Sequence, residues 1–196
     1  MHGLMMDFPL TLSAIFRRAE SLFRRREIVS RLADASLHRY TYADFTDRAR
    51  RLAQALLDLG IRPGDRVATL AWNHGWHLEA YFGIPLVGGV LHTLNLRLHP
   101  DELAYIVNHA EDRAILVDES LLPLWEQVRP KVNVPICIVV GASKPVATGD
   151  LEYESLVAKT QPAGDLPDPD ERSAAAMCYA TGTTGNRTSS QAMAQS

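Results

Sequence analysis

Apolar residues recur at steps of three and four from Leu10 to Phe23, where Leu12, Ile15, Phe16, Ala19, Leu22 and Phe23 form one stripe. That spacing predicts an amphipathic helix. Ile28 to Leu32 and His38 to Tyr42 read as two short strands joined by a turn at Asp34-Ala35-Ser36. Thr41-Tyr42-Ala43-Asp44 resembles a capping box, with Asp44 in place of the usual Glu or Gln. The helix it opens carries Phe45, Ala49, Leu52, Ala53, Leu56 and Leu57 on its buried side, and Gly60 is a natural stop. Arg62-Pro63-Gly64-Asp65 suits a type II turn, since Pro presets φ and Gly supplies a positive φ.

Arg66 to Ala71 follows as a buried strand, and Asn73-His74-Gly75 leads into a helix expected from Trp76 to about Leu91. Its second half, Tyr81 to Leu91, holds Gly83, Pro85, Gly88 and Gly89 and reads as a buried helix with a bend. Pro100 and Asp101 open another helix, with Leu103, Ile106, Val107 and Ala110 on one face. Ala114 to Val117 and Pro135 to Val140 read as strands around a helix from Leu121 to Val128. Ala142 to Asp170 reads as surface connection with one short helix, Glu152 to Lys159, before an apolar strand from Ser173 to Tyr179. Arg187 to Ser196 has no apolar period and is expected to be a disordered tail. The alternation defines an α/β fold, with a largely parallel sheet flanked by helices.

Charge and composition narrow the function classes. The net charge of −3 suggests no nucleic-acid or membrane footprint, so Arg17, Arg18, Arg24, Arg25 and Arg26 read as a solvated helix face. Met1 to Ala14 lacks a clean signal peptide, because Asp7 interrupts it and the arginines follow the apolar stretch. No run is long enough for a membrane span. Cys137 and Cys178 form neither a metal spacing nor a disulfide framework, and read as small core fillers. A reducing cytoplasm fits that pattern. The histidines form no i, i+4 pair around a glutamate and are expected in structural or surface roles, and Glu79 reads as a buried, paired acid.

The candidate chemistry lies near the end of the chain. Tyr179-Ala180-Thr181-Gly182-Thr183-Thr184-Gly185-Asn186 follows the last strand directly. Its glycines let backbone approach a ligand closely, and bare N–H groups with hydroxyls can surround phosphate oxygens. Neither common phosphate motif accounts for it. Counting from Gly182, the sixth position is Arg187 where a P-loop needs Gly, no Lys follows, and Gly182 has no earlier partner for a G-x-G-x-x-G fingerprint.

The segment resembles the first part of the AMP-binding signature of adenylate-forming enzymes, which normally continues into Pro-Lys-Gly. Asn73, His77 to Pro85, Gly88 to Leu98 and Tyr105 to Asp112 look like a fatty-acid–CoA ligase. The opening Leu4 to Leu12 and Ile28 to Arg31 resemble medium- or long-chain members. The resemblance covers about Met5 to Asn186, which makes residues 1–186 a partial N-terminal AMP-binding domain and residues 187–196 a non-family tail. It implies a two-step reaction using ATP, Mg²⁺ and CoA on a fatty acid. It also implies that Thr181, Gly182, Thr183, Thr184 and Gly185 touch the ATP phosphates, with no catalytic residue assignable.

Arg187 and Thr188 stand where the family has Pro and Lys, and the family's later elements do not follow. A frameshift or premature end near Asn186 is therefore expected. So are uncovered sheet edges, self-association and an inactive chain. The alternatives are a non-catalytic nucleotide- or phosphate-binding module, and a structural piece that pairs with a second chain.

Overall fold

The computed structural model describes residues 8–32, 34–164, 166, 168–179 and 189–193, the last stretch by backbone alone. Helix α1 spans Leu12–Leu22. An antiparallel hairpin follows, β1 (Glu27–Arg31) with β2 (Leu37–Thr41), turning through Ala35 at φ 67. Helix α2 (Tyr42–Asp58) starts at the expected capping box. Thr41 Oγ1 accepts from the Asp44 amide, and Asp44 returns a carboxylate to the Thr41 amide.

The main sheet runs β7-β6-β5-β3-β4-β8-β9. Its strands are β3 (Arg66–Leu70), β4 (Val90–Thr93), β5 (Ala114–Asp118), β6 (Ile136–Val140), β7 (Leu151–Glu152), β8 (Ala174–Tyr179) and β9 (Ser189–Met193). Pairing is parallel from β7 to β8, and β9 is antiparallel to β8. Strand β9 lies within residues 187–196, where the lack of an apolar period predicts a disordered tail. Backbone pairing at a sheet edge does not require the apolar side-chain period that this segment lacks.

Alternate residues of the strands feed two cores, as the twofold strand period requires. Val67, Leu91, Leu116 and Ile138 face α1, α2, α3 (Gly75–Leu86) and α6 (Tyr153–Lys159). Ala68, Leu70, Ile115, Val117 and Val139 face α4 (Pro100–Ala110) and α5 (Leu122–Val128). A fully buried Leu or Ile contributes about 2 kcal/mol. The double-sided core is therefore the main reason the sheet holds its register.

Two expectations are corrected. The helix from Trp76 does not reach Leu91 but ends at Leu86, and Val90–Thr93 is a strand in the centre of the sheet. Gly88, at φ +73, turns the chain out of the helix. A Cβ there would meet Pro63 Cβ at 3.0 Å, and the Gly88 carbonyl accepts from the Gly64 amide at 2.8 Å. The type II turn and the end of α3 thus lock together, and β4 starts immediately after. Cys137 is buried as expected, and burial pushes its thiol up to about 12. Cys178, expected in the core, is exposed on β8.

Candidate functional site

The connections define where a ligand fits. The chain leaves β3 for α3 on one face of the sheet, whereas β4 and β5, its two neighbours, leave for α4 and α5 on the other. Adjacent strands whose outgoing loops diverge open a crevice at the carboxyl edge of the sheet, where α/β folds bind ligands. Tyr179 ends β8 at that same edge, beside the end of β4, with Cys178 opposite Thr93.

One set of buried polar side chains is built there, and a second lies beside β4 toward the amino edge. His74 caps α3, and its Nδ1 accepts the His77 amide at 3.3 Å, which leaves the ring proton on Nε2 facing Asp118 Oδ2 at 2.8 Å. Asp118 is the last residue of β5 and also accepts from the Ser120 amide and hydroxyl. Burial pushes the Asp118 carboxyl up, but the hydrogen bonds from His74 and Ser120 outweigh it and hold it below the usual range. The loops after β3 and β5 are tied again by Trp72 Nε1, which donates to Ser120 Oγ at 2.9 Å. His77 Nε2 lies 3.0 Å from Thr69 Oγ1, and burial, with His74 nearby, pushes the His77 ring down to about 4. His77 is therefore neutral at pH 7.

The second set braces the root of the glycine loop. His92 in β4 lies with its Nδ1 2.8 and 2.9 Å from the two carboxylate oxygens of Asp112, and both side chains are fully buried. Burial raises the Asp112 carboxyl, and the contact with His92 only partly offsets it. The Tyr179 ring lies 5.4 Å from the His92 ring, and its hydroxyl lies 2.5 Å from His109 Nδ1 on α4. The end of β8 is thereby anchored to α4 and held against the His92 ring of β4, its neighbour in the sheet.

The predicted phosphate contacts, Thr181, Gly182, Thr183, Thr184 and Gly185, lie outside the described residues. The flanking backbone is described, with Tyr179 paired to Ser189 across β8 and β9. The His74–Asp118 and His92–Asp112 pairs are not legible in the sequence. Each joins residues far apart in the chain, and no local spacing signals them. Glu79 is buried and paired as expected, with Arg48 and Tyr153 as partners. A groove of about 810 Å³ lies at the opposite, amino edge of the sheet against Arg66, Val90 and Ala174, away from the end of β8.

In a sheet with helices on both faces, the carboxyl edge, where β8 ends at Tyr179, is the side on which such folds bind ligands. The chain belongs to the AMP-binding enzyme family, whose pattern matches residues 16–187. The long-chain-fatty-acid–CoA ligase of Thermus thermophilus is 49% identical over 184 residues, covering 92% of this chain and 33% of that protein. The 3-methylmercaptopropionyl-CoA ligase of Ruegeria pomeroyi is 41% identical over 191 residues, covering 95% and 35%. In fold, the chain resembles the anthranilate CoA ligase AuaEII, solved in complex with anthranoyl-AMP. The TM-score is 0.82 over 93% of this chain and 35% of that one, at 22% identity. The chain spans about a third of the length of the curated relatives it matches.

Proposed function

We propose that this chain supplies the nucleotide-phosphate part of an ATP-dependent fatty-acid–CoA ligase. In that reaction a carboxylate oxygen attacks the α-phosphorus of ATP, the bond to the outer phosphates breaks, and pyrophosphate leaves. The CoA thiolate sulfur then attacks the acyl carbon of the adenylate, the acyl–oxygen bond breaks, and AMP leaves. A carboxylate needs this activation because its own oxygen is a poor leaving group. The enzyme's contribution is to position reactants and to stabilise charge on phosphoryl oxygens.

Thr181, Thr183 and Thr184 are proposed to donate hydroxyls to those oxygens, with Gly182 and Gly185 allowing close backbone approach. His74 and Asp118 are proposed to position the carboxyl edge, and His92 and Tyr179 to anchor the end of β8. Mg²⁺ bound to the triphosphate would offset its charge, and none of the described residues is assigned to hold it. Among the described residues no helix is long and apolar enough to cross a membrane, and a reducing cytoplasm is the compartment proposed.

The observation that carries this reading is the position of Tyr179, which ends a parallel strand at the carboxyl edge and leads straight into the signature segment. As given, spanning a third of its relatives' length, the chain is proposed to be inert alone. ATP–pyrophosphate exchange with a fatty acid tests this. The expected result is no exchange above background, and exchange by the 196-residue chain would overturn the proposal of inactivity.

A further inference from the structure

The outer face of α1 and the turn after it combine two features that the net charge hides. Ile15 is 58% exposed, Leu22 62% and Phe23 41%. Around them stand Arg18, Arg24, Arg25 and Arg26, all exposed, and none lies within ion-pair distance of a carboxylate among the described residues. The acids of the same stretch are already engaged, Glu20 by Arg50 and Glu27 by Arg39, while Arg17 is held by Asp168. The patch is therefore locally cationic on a chain of net charge −3. An open groove of about 600 Å³ runs beside it, walled by Phe16, Tyr42, Phe45 and Phe82, with Arg18 and Arg26 also lining it.

We propose that this face docks on an anionic phospholipid membrane surface. Leu22, Phe23 and Ile15 would enter the acyl boundary while the arginines meet the headgroups. Helices that lie in a bilayer interface bring together this same pair of features, aliphatic and aromatic insertion flanked by basic side chains. Cations without carboxylate partners select an anionic occupant, and exposed aliphatic side chains beside them select one that is also apolar. The surface is on the α1 side of the domain and does not depend on the phosphate-loop reading.

Vesicle flotation with the full chain tests it, comparing phosphatidylcholine alone with phosphatidylcholine mixed with phosphatidylglycerol. The protein is expected to float with the mixed vesicles and to stay down with the neutral ones. Binding should vanish at about 1 M salt, where the screening length falls to about 3 Å. Arg25→Gln should weaken partitioning about fivefold, and Leu22→Ser about tenfold. Arg113→Gln, which alters an exposed arginine elsewhere, should leave it unchanged, and circular dichroism checks that each variant is folded. The proposal is overturned by equal flotation with both vesicle types, by no flotation, or by an Arg25→Gln variant that floats as well as Arg113→Gln. Vesicle-independent self-association through this face, abolished by Leu22→Ser, would also overturn it.

Discussion

Arg48 Nε donates to Glu79 Oε1 at 2.7 Å, bringing a guanidinium from α2 onto a carboxylate that is 1% exposed within α3. Tyr153 donates to the other oxygen at 2.6 Å, and Arg48 also holds Glu154. Burial pushes the Glu79 carboxyl up, and the Arg48 and Tyr153 hydrogen bonds offset only part of that. Three helices on one face of the sheet therefore meet at a charge that cannot be left alone. Arg48→Met should cost about 3 kcal/mol in urea unfolding, since a buried carboxylate would lose its cation. Adding Glu79→Met should recover most of the loss. A cost below about 1 kcal/mol would mean that the pair behaves like an exposed one.

The His77 ring gives stability a defined pH dependence. Its pKa is 6.5 in the unfolded chain and about 4 when buried beside Thr69. Between those values the unfolded state binds more protons, so this contribution is fully present above pH 6.5 and is lost as the pH falls toward 4. Its size is on the order of 3 kcal/mol. Glu79, with its pKa raised, acts in the opposite direction, gaining relative stability as it protonates. Unfolding free energies measured across this window should slope downward with acid, and His77→Gln should flatten the slope. An unchanged slope in the variant would exclude His77 as its source.

The hydroxyl of Tyr179, 2.5 Å from His109 Nδ1, is expected to hold the strand that leads into the loop. Tyr179→Phe keeps the ring over His92 and removes only this hydrogen bond. It should cost about 1 kcal/mol and speed amide exchange along the end of β8. Unaltered stability and exchange would show that packing alone fixes the root.

The groove of about 810 Å³ at the amino edge is an open cleft with an apolar lining, in which Leu57 is half-buried and Leu86, Val87, Val90 and Met177 are buried. Surface of that kind favours association. The isolated chain is expected to sediment as a concentration-dependent mixture and to bind a hydrophobic dye. A sharp cooperative thermal transition from a strictly monomeric species would contradict this.

Sequence legibility followed the range of the interactions. The capping box at Thr41, the turn at Gly64 and the stripe of α4 are local patterns, and each appears where its residues predict it. Strand β4 was missed because Gly88 and Gly89 sit inside a continuous apolar run, which periodicity alone does not divide. Its identity comes from tertiary context, with β3 on one side and β8 on the other. The long-range polar pairs are beyond reach for the same reason, since His92 and Asp112, or Arg48 and Glu79, meet only once the sheet and helices are assembled. The stripe of α1 misled in part. Phe16 is fully buried, but Ile15 and Leu22 face outward, so the period located the helix correctly and overstated how much of it is covered.

The central proposal is that the segment Thr181 to Gly185, which follows β8 in the chain, receives nucleotide phosphates. Titrating ATP into isotopically labelled protein and following its backbone amides by nuclear magnetic resonance tests this most directly. The account predicts that the amides of Thr181, Gly182, Thr183, Thr184 and Gly185 shift together with that of Tyr179. Amides in this segment that stay fixed at saturating ATP, whether or not others move, would contradict it.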